Sequence, residues 1–241
     1  MSLFERHDVI WNEEKIARYW DHLSTLPGAL ENCWSKQVGR VLLQHVSRYV
    51  ALTGRILDYG CGPGYLLREL LNVAPNAVVQ GADYSPKTVT LVNTLLHGED
   101  RFGGASLVNT TPTHFEGASF DVVFFVETIE HIPASLRGGA LAELRRLLRP
   151  GGSVVVTTPN EEDLAANQTM CPDCGALFHR IQHLSSWSRQ SLQREMEAAG
   201  FRTQRCDALH LRPAYSMLHV LKDKLIKGQK LPHLVYLGIA Q

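Results

Sequence analysis

Short apolar runs alternate along the chain with amphipathic segments of helical period, starting near residue 55. The apolar runs predict five strands, in chain order Arg55–Tyr59, Ala77–Asp83, Ser106–Thr110, Phe120–Val126 and Ser153–Thr158. The segments between and after these strands predict helices over Tyr65–Asn72, Pro86–Leu96, Ser135–Leu148 and Arg189–Ala199. Such alternation is typical of an α/β protein with a largely parallel sheet and crossover helices.

The two ends of the chain follow a different pattern. Residues 12–50 have helical periodicity and precede the first strand, so we expect an N-terminal helical cap over residues 1–50. After Gly200 come two strand patterns in succession, Phe201–Leu209 and His233–Ala240, which fit an antiparallel pair. Between them, Pro213–Lys230 predicts a helix with a loop. With no repeat or linker in the sequence, we expect residues 1–241 to form one domain.

A glycine-rich turn follows the first strand, at Leu57–Gly64, where the residues match DxGxGxG. Glycines at alternate positions let the backbone bend sharply and leave no Cβ against a ligand. The dinucleotide pattern GxGxxG fails here because Tyr65 stands where its third glycine should be. The carboxylate of Asp58 would not help to bind a pyrophosphate, whereas it would attract a ligand with a cationic end.

Asp83 ends the second strand, roughly 20 positions beyond the glycine turn, which is the spacing of a carboxylate that holds a ribose. The alternative role for Asp83 is to cap the next helix. Ser85, directly before Pro86, is the better cap, so we favour the ribose role.

Three motifs in order, DxGxGxG, FDVV at Phe120–Val123 and LRPGG at Leu148–Gly152, resemble those of the class I S-adenosylmethionine-dependent methyltransferases. The resemblance runs over about Ile56–Pro159. It implies a Rossmann-like seven-stranded mixed sheet with strand order 3-2-1-4-5-7-6, helices on both faces and S-adenosylmethionine as cofactor. It also implies the cofactor-binding residues Asp58, Gly60, Cys61, Gly62, Gly64, Asp83, Tyr84, Asn109, Thr110 and Val126. Asn109 departs from the family, many members of which carry an Asp there.

The segment after the fourth strand contains ExxEH, with Glu127, Glu130 and His131 on one face if the chain is helical there. With the later His183, this pattern resembles the ubiquinone-biosynthesis O-methyltransferases, in which four such side chains hold a divalent metal. A metal, Mg²⁺ or Zn²⁺, can lower the pKa of a hydroxyl and direct it at the methyl group. The alternative is that His131 only lines the pocket, or that His131 or Glu127 acts as a base without metal.

A second metal site competes for His183. Residues 160–187 form an insert after the fifth strand, in which Cys171 and Cys174 lie in a CPxCG sequence typical of a zinc knuckle. With His179 and His183 they offer four ligands of the type that tetrahedral zinc prefers. Either structural zinc takes all four side chains, or His183 belongs to the glutamates, or the cysteine pair is reduced and binds no metal. We favour placing His183 with the glutamates.

Composition narrows the class of protein. Lys+Arg and Asp+Glu number 24 each among 241 residues, so no basic field steers the chain to nucleic acid. No apolar run is long enough to span a membrane, and an odd number of cysteines suits a reducing compartment, so we expect a cytoplasmic enzyme. We therefore predict a methyltransferase acting on a small-molecule hydroxyl with metal assistance. The alternatives are metal-free N- or C-methylation, and a nucleic-acid- or protein-binding module that uses the Cys/His segment.

Overall fold

The structure is a computed structural model, and it describes residues 5–24, 26, 28, 33–211 and 232–241. The predicted helix and loop at 213–230 lie outside the described residues. No helix among the described residues is both long and apolar enough to cross a membrane.

Among the described residues the strands form two sheets. In chain order they are β1 His7–Asp8, β2 Gly54–Tyr59, β3 Ala77–Asp83, β4 Phe102–Leu107, β5 Phe120–Val126, β6 Leu148–Pro159, β7 Gln168–Met170, β8 Ala176–His179, β9 Phe201–Leu209 and β10 His233–Ala240. The main sheet has the order β4-β3-β2-β5-β6-β10-β9. Strands β2 to β6 run parallel, and β10 is antiparallel to both β6 and β9. The predicted strand order and the reversed final strand are therefore confirmed.

Helices cover both faces of the main sheet. In chain order they are α1 Glu13–Leu23, α2 Trp34–Val46, α3 Tyr65–Val73, α4 Pro86–Leu95, α5 Ala134–Leu147 and α6 Arg189–Ala198, with 3₁₀ turns at Ile129–His131 and Ala165–Asn167. The Ser85 hydroxyl accepts from the Thr88 N–H at 3.1 Å, and Pro86 takes the first helical position. Ser85 is thus the cap of α4, as the sequence indicates.

Two apolar clusters hold the layers together. One places Leu42 and Leu43 of α2 against α3 and one face of the sheet, and the other places α5 and α6 against the opposite face. Phe124 and Phe125, adjacent in β5, point to opposite clusters, and both are fully buried. Each such side chain contributes roughly 1.5–3 kcal/mol by leaving water. The centre of the sheet is therefore a rigid base for the loops at its edge.

Strand β4, the third of the five strands predicted above, begins earlier than the sequence suggests. The prediction Ser106–Thr110 is wrong at both ends, because β4 spans Phe102–Leu107. Gly103 and Gly104 weaken the strand pattern, but Phe102 packs against the core and Asn93 of α4 bonds both backbone groups of Ala105. Asn109 and Thr110 lie past the carboxyl end of the strand, in a loop.

The second sheet was not predicted. It has the order β1-β8-β7, with His7 of the N-terminal segment paired in parallel with Ala176. Strands β7 and β8 form an antiparallel hairpin whose turn contains Cys171 and Cys174. The Cys/His insert thus has backbone pairing of its own with the start of the chain.

Candidate active site

The glycine turn after β2 is held in a left-handed backbone. Gly60, Gly62 and Gly64 have φ of 84°, 48° and 80°, a region that side chains disfavour. A Cβ on Gly60 would lie 2.5 Å from Oγ1 of Thr128, whereas a Cβ on Gly62 would meet nothing within 4 Å. Gly60 is therefore required by close packing, and Gly62 leaves the turn open to a ligand.

Two carboxylates lie beside this turn, Asp58 buried and Asp83 half-buried. Asp83 accepts from the Gly62 N–H through Oδ2 and from the Ser85 N–H through Oδ1, both at 2.9 Å. Asp58 is 2% exposed, and its Oδ1 has no hydrogen-bond partner among the described residues. Burial, and then the charge of Asp83, raise the pKa of Asp58 to about 8. A buried carboxylate with one unpartnered oxygen, beside an open turn, fits a ligand that carries an ammonium group.

A cavity of about 880 Å³ opens at the carboxyl end of the parallel strands. The predicted cofactor residues that line it are Gly60, Cys61, Gly62, Asp83, Tyr84, Asn109, Thr110 and Val126. Asp58 and Gly64 are buried and do not line it. Most of the predicted cofactor-binding residues therefore line one cleft, at the topological switch point of the sheet.

The chain after β5 does not form the helix that would place Glu127, Glu130 and His131 on one face. Glu127 has a left-handed φ of 46°, residues Ile129–His131 make a single 3₁₀ turn, and the α-helix starts only at Ala134. Glu127 therefore does not share a helical face with Glu130 and His131. Its Oε1 accepts from the Thr157 hydroxyl at 2.8 Å, and its Oε2 lies 3.7 Å from Nδ1 of His233.

Glu130, His131 and His183 nevertheless come together, with potential ligand atoms all within 4.8 Å of one another. Glu130 is fully buried, and neither of its oxygens has a hydrogen-bond partner among the described residues. Burial, and then the charge of Glu127, raise the pKa of Glu130 well above its usual value. Burial, and then repulsion from His183, lower the pKa of His131 to about 3. The imidazole of His131 is thus neutral, which is the form that binds metals.

Glu162, in the loop after β6, was missed by the sequence analysis. It hydrogen-bonds Nδ1 of His183, and its Oε1 lies 3.4 Å from Nε2 of His179. The two imidazoles stack at 4.7 Å with an interplanar angle of 10°. The only signal in the sequence is an acidic run after a buried strand, Glu161–Asp163, which is more typical of a solvated loop.

The four-ligand zinc knuckle, one of the alternatives that the sequence left open, has no matching cluster of ligand atoms among the described residues. Cys171 and Cys174 lie in the turn of the β7–β8 hairpin, and His179 ends β8, about 10 Å further on at the usual rise of a strand. The His/Cys/Asp/Glu clusters among the described residues contain His179 and His183 with Glu162, but no cysteine. The backbone N–H groups of Cys174 and Asp173 lower the pKa of Cys171, which is a property of the turn alone.

Helix α1 covers the cavity and contacts both of its ends. Asp21 accepts from the Ser85 hydroxyl at 2.5 Å beside the glycine turn. At the other end, the Trp20 indole N–H donates to Oε1 of Gln182 at 2.8 Å, and its ring packs edge-on against His131 at 4.8 Å. The N-terminal helix α1 thus borders the glycine-turn side and the histidine side of one cleft.

A seven-stranded sheet with a reversed final strand, a glycine turn backed by carboxylates and an open cleft at the switch point define a class I S-adenosylmethionine-dependent methyltransferase. The family model described as "Methyltransferase domain" matches residues 34–205. The chain belongs to this family.

Individual relatives agree with this class. The chain is 29% identical over 227 residues to a ubiquinone biosynthesis O-methyltransferase of Nitrosococcus oceani, with 88% of each chain covered. It is 28% identical over 217 residues to a demethylmenaquinone methyltransferase of Staphylococcus aureus, with 79% of this chain and 86% of the relative covered. Among solved structures, the [4+2]-cyclase SpnF superimposes with a TM-score of 0.69 at 15% identity, with 98% of both chains covered. At that identity the superposition shows the fold alone.

Proposed function

We propose that this enzyme transfers the methyl group of S-adenosylmethionine to a hydroxyl oxygen of a small aromatic molecule of the quinone-precursor type, assisted by a divalent cation. The observation that carries the proposal is the unpartnered, buried carboxylate of Glu130 beside His131 and His183, two residues that line the cleft. The names of the two relatives, both quinone methyltransferases, support the substrate class.

The cofactor end of the cleft suits S-adenosylmethionine. Asp83 can accept from ribose hydroxyls while it holds the turn, because each carboxylate oxygen can accept two hydrogen bonds. Asp58 supplies negative charge beside the turn for the ammonium group of the methionine part. Asn109 and Thr110 line the cleft past β4, where an amide can bond the adenine base.

Glu130, His131 and His183 would hold the cation. Two imidazoles with one carboxylate are a borderline donor set, which favours Zn²⁺ or Mn²⁺ over Mg²⁺. When bound there, a divalent cation would lower the pKa of the acceptor hydroxyl. Glu127 is not in this cluster of ligand atoms. We therefore propose that it accepts the proton of the acceptor hydroxyl and does not bind the cation.

The chain supplies a proton acceptor for the transfer. The acceptor hydroxyl gives its proton to the Glu127 carboxylate, which lines the same cleft. Its oxygen then bonds the methyl carbon as the carbon–sulfur bond breaks, and the sulfonium becomes a neutral thioether. Trp20 and Trp34 line the cleft and provide flat apolar surfaces for an aromatic acceptor.

Metal-free methylation with His131 as base is the second candidate, and one observation weighs against it. A general base works best when its pKa is near the working pH, whereas burial lowers the pKa of His131 to about 3. A module that binds nucleic acid or protein through the Cys/His segment would have no use for the cofactor cleft and its paired carboxylates.

The test is an assay with isotope-labelled S-adenosylmethionine and two matched acceptors, a catechol and the corresponding ortho-diamine. We expect methyl on the catechol oxygen, loss of turnover with a chelator and recovery with added Mn²⁺ or Zn²⁺. Methylation of the diamine alone, or turnover unaffected by chelator, would contradict the proposal. Binding of S-adenosylhomocysteine without any methyl transfer to a broader panel would indicate another reaction on the same fold.

A further inference from the structure

We infer that Glu162 is a positioning residue. It holds the proton of His183 on Nδ1, and this leaves the lone pair of Nε2 to bind the cation beside Glu130 and His131. This inference rests on the proposed function for its purpose, but its geometry stands on its own. Glu162 is separate from the predicted ExxEH…H group and comes from the loop after β6.

One ring nitrogen of His183 is already engaged in a hydrogen bond. Nδ1 lies in hydrogen-bond contact with Oε2 of Glu162, and a carboxylate can only accept. The proton of a neutral imidazole therefore stays on Nδ1, and Nε2 is the nitrogen left for the cluster with Glu130. A ligand histidine that donates its other N–H to a carboxylate is fixed in tautomer and is a more basic ligand.

The ring of His179 has the opposite tautomer. Its Nδ1 accepts from the backbone N–H groups of Ile181 at 3.4 Å and of His183 at 3.2 Å. The proton of this imidazole must then be on Nε2, which lies 3.4 Å from Oε1 of Glu162. Nε2 of His179 thus has no lone pair to offer a cation in the direction of Glu162, although the contact with Glu162 is not a hydrogen bond.

His131 repeats the tautomer of His183. Its Nδ1 lies 3.3 Å from the backbone oxygen of Gln182, which can only accept, so this nitrogen carries the proton. Its Nε2 lies 3.9 Å from Oε1 of Glu130. The loop that carries His179, Gln182 and His183 therefore sets two Nε2 lone pairs toward one buried, unpartnered carboxylate.

Glu162 is itself anchored. Its Oε1 accepts from the amide of Asn167 at 3.3 Å, and Oδ1 of Asn167 accepts from Arg180 at 3.0 Å. The carboxylate thus lies between two histidines and an asparagine that is tied back to the same hairpin. Such support fixes a ligand ring more tightly than packing alone does.

A second cation between Glu162, His179 and His183 is the competing explanation, because their potential ligand atoms also lie within 4.8 Å of one another. It would require Nε2 of His179 to lose the proton that the two backbone donors to Nδ1 impose. The tautomer assignment therefore favours one cation per chain. Two ions per chain would contradict it.

The first test needs only the wild-type protein without metal, labelled with ¹⁵N-histidine, at about pH 8.5, where an ordinary imidazole is neutral. Long-range ¹H–¹⁵N spectra report which nitrogen carries the proton, and through-bond correlation of each ring with its own backbone assigns the signals in the wild type. We expect His183 with Nδ1 protonated and His179 with Nε2 protonated. A dominant Nε2–H form of His183 in the wild type would overturn the inference, whether or not any variant folds.

The second test is calorimetric titration with Mn²⁺ and Zn²⁺. We expect Glu162→Gln to weaken cation binding about 10–100-fold, Glu162→Asp to restore part of it, and the neighbouring surface variant Asp163→Asn to stay within about twofold of wild type. Unchanged cation affinity in Glu162→Gln would refute the positioning role and leave the proposed function intact. A wild type that binds no divalent ion would refute the metal-assisted function, while the tautomer spectra would still decide the role of Glu162.

Discussion

The backbone N–H of Gly62 donates to Oδ2 of Asp83 at 2.9 Å, so the carboxylate predicted to hold the ribose also holds the glycine turn. The other oxygen of Asp83 accepts from Ser85, at the start of α4. One side chain thus joins the end of β3 to both elements that frame the cofactor cleft.

Asp83→Asn should weaken binding of S-adenosylhomocysteine. The amide has only one acceptor atom, so either Gly62 or Ser85 loses its partner and the ribose loses a charged acceptor. At about 1.5–3 kcal/mol for a hydrogen bond to a charged group, affinity should fall roughly 10–100-fold. Titration calorimetry measures it, with exposed Asp100→Asn as the matched control. Equal affinity in both variants would remove Asp83 from the cofactor site.

Gly60→Ala and Gly62→Ala should separate folding from binding. A Cβ at Gly60 would clash with Thr128 at 2.5 Å in a left-handed backbone, so we expect a loss of roughly 2–4 kcal/mol in unfolding free energy. Gly62→Ala meets no atom within 4 Å and should cost only about 1 kcal/mol of backbone strain. Because Gly62 lines the cleft, its Cβ should instead reduce cofactor affinity. Urea unfolding and calorimetry on both variants measure the two effects, and the reverse assignment would contradict the geometry.

Cofactor binding near pH 7 should release a proton from Asp58. Its pKa of about 8 in the free protein means that it is mostly protonated at pH 7, and a ligand ammonium favours the ionised form. Release should fade above about pH 8, where the group is already ionised. Calorimetry in buffers of different ionisation enthalpy measures the proton, and Asp58→Asn is the control that should release none. Binding heats that are independent of buffer in the wild type would contradict this assignment.

The same group should affect stability in the ligand-free protein. Its folded pKa of about 8 exceeds an unfolded value of about 3.9, so the folded state binds more protons between these values. The contribution of Asp58 to stability is therefore greatest at low pH and is lost as pH rises from about 4 to about 8. Asp58→Asn should flatten that part of the stability curve in urea titrations. An unchanged slope would mean that Asp58 is ionised in the fold.

Trp20→Phe should affect the acceptor more than the cofactor. The indole N–H donates to Gln182 at 2.8 Å, and Gln182 in turn donates to the backbone oxygen of His131 at 2.8 Å. Loss of one such bond, worth about 1 kcal/mol, should raise the acceptor KM several-fold and leave S-adenosylhomocysteine affinity unchanged. Trp11→Phe, outside the lining of the cleft, is the control. A loss confined to cofactor affinity would place Trp20 at the cofactor end of the cleft and contradict this prediction.

Local patterns predicted the existence of every strand in the main sheet, although not all of the bounds, as β4 shows. The strands Phe201–Leu209 and His233–Ala240 match their predicted bounds, because alternating or continuous apolar residues between turn residues specify a buried strand. The strand order followed from a resemblance to a family, since the sequence alone does not say which strands pair.

The site was less predictable, because its geometry depends on long-range contacts. A helical template for residues 127–131 could not foresee the left-handed φ of Glu127, which turns its carboxylate toward His233, more than a hundred residues away. Pairing of His7 with Ala176 is equally remote, and both strands are too short to carry a pattern. Glu162 lies in an acidic loop, and only the fold brings it to His183.

We propose that Glu130, with His131 and His183, holds a divalent cation that methyl transfer requires. The most direct test is the metal content of dialysed protein, by elemental mass spectrometry, together with catechol turnover, for wild type and Glu130→Gln. The account predicts one ion per wild-type chain, and in the variant less than about a tenth of that ion and at least a hundredfold slower turnover, with S-adenosylhomocysteine affinity preserved. Unchanged metal content and turnover in a folded Glu130→Gln would contradict it.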